Sequence, residues 1–537
     1  MKLRPTAAAI PAPNLWERTL GVFAPKRARE TYMTRAAFHG AGQYAGARRD
    51  KTSLKAFTPS AGSADSDTLG DLDTLRSRAR DLARNTPLAR GARNTSRVNV
   101  VGSGLRLKAQ LQRELLGLSD EEAESWEDRV EQLFGLWAED KLSDITEQQN
   151  FYELQGLAFL GAFDSGDIFA LRRQGKGQIC KLALQMIEAD RVITPQDKSD
   201  APNIREGIEQ DGNGAPVAYW VRNRHPGDDL VASSYEPEAF SRIPARGPKT
   251  GERLIIHLFD RERVGQSRGV PSLAPVIEDL KQLDRYSEAE LMAAVVSAFF
   301  TVFIKHGEGG NSDIVGEEGV PGLSAANEVA LGSGSVVDLG PNEDIVTANP
   351  ARPNANFDPF FLAIVRKIGV GLGIPYEVLI QHFSSSYSAS RAALEVAWQF
   401  FMDRRVWLAR NFCQPVYEWF LYEAVATGLI EAPGFFSDPV RRRAWAGAQW
   451  IGPAQISLDP VKDAEAAKAW VEMGVSTLEN ETINRDGGDW YRNQEQRGRE
   501  VTLRRKLKLE PEEPVATATG PGRPASPKPK PKEGESK

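Results

Sequence analysis

The densest set of reactive side chains in this 537-residue sequence is the stretch "IQHFSSSYSASR", where Ser384, Ser385, Ser386, Ser388 and Ser390 follow His382. A serine hydroxyl becomes a nucleophile when a nearby base takes its proton, and His382 is the neighbouring candidate. The sharp G-x-S-x-G turn that would present such a serine does not occur. The same residues suit a helix start, because a serine hydroxyl accepts from the free N–H groups of a first turn. Capping is the better reading of Ser386 or Ser388. A cytosolic hydrolase or nuclease-like enzyme with an unrecognised active site stands as the alternative.

Other reactive patterns are thinner. No G-x-x-x-x-G-K-[ST] loop is present, so an ATPase core is not expected. "GVGLGIP" at 369–375 has the glycines of a weak nucleotide fingerprint. It trails a helical pattern and runs into Pro375, which is the context of a helix C-cap. His39, His225, His257, His306 and His382 are scattered singly and no H-E-x-x-H occurs, so no metal, no cofactor and no catalytic residue is expected. Two cysteines, Cys180 and Cys413, exclude a disulfide scaffold and fit a reducing place of synthesis. Arg76, Arg80 and Arg84 recur every four residues, as a solvated helix face or a phosphate-contacting stripe.

Charge is uneven. The net value is −6, yet residues 1–100 hold 18 Lys and Arg against 8 Asp and Glu, a net +10 that leaves −16 for the remainder. This is a basic arm on an acidic body. Residues 306–351 contain no Lys or Arg but several carboxylates, with Glu317 and Glu318 adjacent. The opening residues lack the apolar core of a signal peptide. The most apolar run, "AAVVSAFFTVFI", has 12 residues, where a membrane span needs about 20.

Periodicity supplies the elements. Residues 1–96 read as a basic arm, partly flexible, with little periodicity in the first 70. "RVNVVGSGLRLKA" (97–109) alternates like a strand. Ser119 and Glu122 form a capping box for a helix reaching about Glu139. "DSGDIFALRR" and "KLALQMIEADRVITP" read as strands, and 205–223 as a hairpin around "DGNG". One uninterrupted helix is predicted from Ser272 to His306, with Pro275 in its first turn. A small acidic insert and a second helix over 356–372 follow. "YSASRAALEVAWQFF" is then apolar at 389, 392, 393, 396, 397, 400 and 401, the helical rhythm. Leu394 and Trp398 make a second apolar flank, so this helix needs neighbours on several sides. Residues 458–509 are helix-like and 511–537 form a Pro-rich tail expected to be disordered. The fold class is α+β, predominantly helical.

Several stretches, in order and spacing, resemble the portal proteins of tailed bacteriophages, specifically the lambda-type group. They include "LRSRARDLARNTPLARGA" (75–92), "NVVGSGLRLKAQ" (99–110), "MIEADRVITP" (186–195), "REGIEQDGNGAPVAYWV" (205–221) and "RVGQSRGVPSLAPVI" (263–277). "GIPYEVLIQHFSSSYSASRAAL" (373–394) and "LDPVKDAEAAKAWVEMGVSTLENE" (458–481) continue the likeness, which covers roughly residues 75 to 510. "IQHFSSSYSASR" departs from the group, which tends to carry an acidic residue and an Asn there.

The resemblance implies a non-enzymatic ring, a dodecamer in the virion, seated at one capsid vertex and synthesised in the host bacterial cytoplasm. Double-stranded DNA would pass through its channel during packaging and ejection. The implied partners are the terminase large subunit, the major capsid protein and scaffold, and head-completion or connector proteins, with no membrane. The implied subunit has a mixed α/β wing (97–271), stem helices (272–306 and 356–372), a clip (307–355), a tunnel loop (373–387), a long channel helix (388–432) and a helical crown (433–510). Ser384, Ser385, Ser386 and Tyr387 would face the channel. Ala389, Ala393, Val396 and Phe400 would pack between subunits, and Glu317 and Glu318 would dock terminase.

Overall fold

The computed structural model describes residues 14–40, 44–47, 51–177, 179–199, 201–228, 240–298, 302–306, 343–347, 356–383, 386–507 and 509. The chain divides into two compact units, Met1–Gly70 with Arg263–Gly265, and Asp71–Glu262 with Gln266–Lys537. The first unit carries helices α1 (Leu15–Phe23), α2 (Pro25–Gly40) and α3 (Ala64–Thr68). Ser63 caps α3 by accepting from the Ser66 amide at 3.2 Å. Arg263 holds Asp67 at 2.7 Å and the Gly62 carbonyl at 3.1 Å. Helices therefore occupy much of a stretch whose sequence shows little periodicity.

The second unit begins with α4 (Leu72–Asn85) and α5 (Pro87–Val100). Both are core elements: Leu72, Ala79, Leu82, Ala89, Ala92 and Val100 are buried. The expected arm over 1–96 therefore ends at Gly70, because the small residues of 71–96 let two helices pack closely. The strand expected over 97–109 is corrected in the same way. Arg97–Val100 closes α5, and only Arg106–Ala109 is extended, as β1.

A short helix α6 (Arg113–Leu116) leads to α7 (Asp120–Glu139), which starts at the Ser119–Glu122 capping box as the sequence predicts. A second capping box, Asn150–Glu153, starts α8 (Phe151–Ser165). Strands β2 (Asp167–Gln174), β3 (Leu182–Glu188), β4 (Ile204–Arg205), β5 (Ile208–Gln210), β6 (Pro216–Arg222), β7 (Phe240–Pro244) and β8 (Ile255–Phe259) form two antiparallel sheets, ordered β3-β2-β8 and β4-β5-β6-β7. The predicted hairpin is β5–β6, and Asp211 Oδ1 accepts from the amides of Asn213 and Ala215 to shape its turn.

Helix α9 spans Ile277–Ala298, and Val302–His306 is β9, paired antiparallel with β10 (Glu343–Thr347). The expectation of one helix to His306 is thereby corrected. Val302, Phe303 and Ile304 are β-branched or aromatic residues that favour a pleated ladder. Then come α10 (Phe357–Leu372), α11 (Tyr376–Leu379), α12 (Tyr387–Leu408), a π-helical turn at Ala409–Cys413, and α13 (Gln414–Ala426). Helices α14 (Pro439–Trp445), α15 (Pro460–Glu472), α16 (Leu478–Asp486) and α17 (Trp490–Lys506) follow, with β11 (Ala448–Ile451) between the first two.

Strand β11 pairs with β1, Arg106 opposite Ile451 and Ala109 opposite Ala448, so late sequence closes onto early sequence. The main core lies under this ladder. Phe134 stands edge-on to Phe151, Tyr417 and Phe420 at centroid distances of 5.7, 5.6 and 5.2 Å. Edge-to-face packing of this kind contributes beyond the buried area alone.

Candidate functional site

The segment from α10 to α13 holds most of the residues singled out in the sequence. Helix α10 ends at Gly373, in the left-handed region at φ 69°, with the Ile374 amide returning to the Gly369 carbonyl at 2.9 Å. The glycines of "GVGLGIP" serve packing. A Cβ on Gly369 would lie 2.6 Å from the Ile374 carbonyl oxygen, one on Gly371 2.6 Å from Val276 Cγ1, and one on Gly373 2.8 Å from the Phe400 ring. They make a helix end, not a nucleotide loop.

Pro375 then opens α11, whose Val378 and Leu379 are buried. Gln381 adopts φ 55° and the chain turns out towards the serines. Ser386 caps α12, its hydroxyl accepting from the Ala389 amide at 3.4 Å. Tyr387, in the first turn, is exposed. Ser384 and Ser385 lie outside the described residues, as do Glu317 and Glu318.

Helix α12 buries Ser390, Ala397, Phe401, Arg405 and Leu408 within its own subunit. Ala389 is exposed and Val396 is 58% exposed, while Ala393 and Phe400 are half-buried. Phe400 packs on Phe401 and covers Gly373 of its own chain. The four residues expected to pack between subunits thus fall in two groups, with Ala389 and Val396 turned outward.

Three arginines fix the helix. Arg391 reaches Glu395 at 3.0 Å and Asp463 at 3.4 Å, and Asp463 also receives Ser457 and Arg485. Arg404 pairs with Asp260. Arg405 donates to the carbonyls of Asn99 (2.8 Å), Val100 (3.2 Å) and Pro453 (2.8 Å). Burial lowers its pKa to about 10. Its charge lies on the C-terminal carbonyls of α5, where a cation is favoured. Pro415 explains the π-turn that follows. Proline has no N–H and its ring crowds the carbonyl four residues back, which a wider turn relieves. The expected channel helix is thus one rod interrupted once, from Tyr387 to Ala426.

A second cluster sits where the sheet meets the root of α9. Asp167, fully buried, accepts from Arg268 Nε at 2.5 Å and Nη2 at 3.1 Å, from Arg76 Nη2 at 3.1 Å, and lies 3.1 Å from His257 Nε2. Arg268 also donates to the carbonyls of Val192, Glu206 and Ala189. Burial alone would raise the Asp167 pKa, but Arg268, His257 and Arg76 hold it well below the usual carboxylate range. Burial lowers the pKa of His257, whose ring stacks on those of Phe169 and Phe259, each 4.3 Å away. Gly269 and Gly166 touch backbone to backbone, since a Cβ on Gly269 would lie 1.9 Å from the Gly166 carbonyl oxygen.

The model of the family described as phage portal protein, lambda family, matches residues 50–405. The chain belongs to this family. It is 28% identical to portal protein B of Escherichia phage lambda over 504 residues, covering 89% of this chain and 91% of that one. It is equally 28% identical to the portal protein of Escherichia phage N15 over 501 residues, covering 89% and 92%. Among solved structures it is similar to a chain in the neck of the empty gene transfer agent particle computed with C6 symmetry. There the identity is 13% and the TM-score 0.44, over 77% of this chain and 92% of that one. Phage portal proteins are structural and sit in the virion at the capsid vertex.

In this portal protein the arginine stripe is neither of the two things its spacing suggests. Arg76 is buried in the Asp167 cluster, Arg80 pairs with Asp190, and Arg84 alone is well exposed. Asp167, Arg268 and His257 carry no sequence signal as a group, although "RGVP" marks Arg268 and Gly269 within the family likeness. No helix among the described residues is long and apolar enough to cross a membrane. Among the same residues no group of His, Cys, Asp and Glu is placed to hold a metal ion.

Proposed function

We propose that this portal protein assembles as a closed ring, a dodecamer in the virion, whose channel passes double-stranded DNA during packaging and ejection. The observation that carries the reading is α12, a helix fixed to its own subunit by one face while Ala389 and Val396 point outward on another. A neighbouring copy gives that second face an apolar partner at every position around a ring. In this arrangement residues 272–306 and 356–372 supply the stem, 307–355 the clip, 97–271 the wing and 433–510 the crown.

The tunnel loop 373–387 then projects Ser384, Ser385, Ser386 and Tyr387 towards the DNA. Polar, uncharged groups suit a sliding contact, because every phosphate neutralised by a cation adds affinity that resists movement. The clip, free of Lys and Arg from 307 to 351, offers Glu317 and Glu318 to a basic face of the terminase large subunit. Head-completion or connector proteins take that end afterwards, and the major capsid protein and scaffold surround the ring.

Negative-stain electron microscopy with mass measurement of the purified chain tests this. Large rings with a central channel are expected. A population of monomers to tetramers at micromolar concentration would overturn the ring and favour the enzyme alternative.

A further inference from the structure

A pocket of about 440 Å³ opens between the bridged turn that connects β7 to β8, the π-turn and α14, and its charged lining is mostly arginine. Arg246, Arg253, Arg410, Arg442 and Arg443 meet there, against Glu252 and Glu418. Arg442 is neutralised by a two-pronged pair with Glu252, and Arg443 by Glu418 at 2.7 Å. Among the described residues the other three pair with no carboxylate: Arg246 donates to the Gly251 carbonyl at 3.0 Å, and Arg253 and Arg410 make no side-chain hydrogen bond or ion pair.

The backbone places these charges against their own repulsion. Arg246 and Arg253 are antiparallel bridge partners. The Gly247 amide bonds the Glu252 carbonyl and the Leu254 amide the Ala245 carbonyl, so the two arginines form the non-hydrogen-bonded type of pair, in which opposite side chains lie closest. Like charges directly opposite one another are destabilising. Trp419 Nε1 clamps the bridged turn by donating to the Arg253 carbonyl at 2.8 Å. The π-turn, an irregularity often found at functional sites, sets Arg410 at the same opening.

We propose that this arginine pocket is an anion site for a phosphate group. Three guanidinium groups without carboxylates supply the planar donor forks that match phosphate oxygens, and the bound anion removes the cross-strand repulsion. The group can belong to a free phosphate compound or to a nucleic-acid backbone, and the chemistry recognised is the same.

The test uses the assembled full-length protein. Pyrophosphate and, separately, a short DNA duplex are titrated at fixed ionic strength, following binding by calorimetry and the shift in thermal unfolding. The double variant Arg253→Ala with Arg410→Ala is expected to weaken binding at least about tenfold, since each lost charge-assisted bond is a strong one. Arg84→Ala with Arg499→Ala removes the same charge elsewhere and should leave binding unchanged. Arg410→Lys keeps the charge without the fork and should fall between. Stabilisation by pyrophosphate alone assigns the source to a free phosphate compound, and stabilisation by duplex, lost in the double variant, assigns it to nucleic acid. If neither ligand stabilises the wild-type protein beyond matched sodium chloride, or if the double variant binds as the wild type does, the site does not exist.

Discussion

Replacing Asp167 by Asn is the sharpest probe of the cluster at the root of α9. The side chain keeps its shape and loses its charge, while Arg268 and Arg76 remain, 0% and 1% exposed. Four carbonyls still receive them, those of Val192, Glu206, Ala189 and Ser165. The dipoles are retained and the counter-charge is gone. Breaking a buried pair from one side costs about 3–5 kcal/mol. At about 2 cal/mol/K of unfolding entropy per residue, a cooperative unit of roughly 400 residues loses on the order of 4 °C in midpoint. Calorimetry at pH 7 reads this directly. The same variant also changes the acid limb. The folded carboxyl titrates well below its ordinary value, so its stabilisation is complete above the unfolded carboxylate pKa near 4 and disappears as pH falls further. The wild type should therefore lose midpoint from pH 4 downward more steeply than the Asn variant. A variant that melts within a degree of wild type at pH 7, with a parallel acid limb, would refute the view that the cluster is held by this one carboxylate.

Four other outcomes are expected. His257→Phe keeps the stack between Phe169 and Phe259 and should cost about 1 kcal/mol at pH 7 for the lost hydrogen bond. Because the folded histidine titrates below its unfolded value near 6.5, wild-type stability declines as pH falls through 6.5, and the Phe variant should lack that decline in urea titrations. Gly269→Ala drives a Cβ into the Gly166 carbonyl and should destabilise by about 3 kcal/mol or more, read as earlier hydrogen exchange in Asp167–Gln174. Val396→Glu alters a side chain exposed within the subunit, so circular dichroism should stay normal while light scattering reports lost rings. Glu317→Lys with Glu318→Lys should weaken terminase capture by intact rings, with a loss that shrinks as salt rises.

Local chemistry was legible wherever the deciding atoms are close in sequence. The Ser119–Glu122 box, the Asp211 turn and the Gly373 helix end are each complete within a few residues, and all three are formed. What escaped were features whose second half lies far away. Arg76 looks like a surface residue because its carboxylate is Asp167 and the third member is Arg268. The end of α5 looks like a strand because Val98 and Val100 alternate with Arg97 and Asn99, and Arg405 on its terminal carbonyls discloses a helix end. At α12 the apolar rhythm was visible, but it could not separate Phe400, folded over Gly373, from Val396, left outside. The π-turn had a single local signal, Pro415.

The β1–β11 ladder carries a consequence for the timing of synthesis. The partner of Arg106–Ala109 is Ala448–Ile451, so at roughly 5–20 residues per second the early strand waits on the order of half a minute for its mate to leave the ribosome. Until then Leu107 and Ala109, buried in the finished subunit, have no cover from that side, and the long loop to be closed makes this pairing a late event. A chain broken before residue 448 never completes it. Only a subunit translated through β11 acquires its finished core.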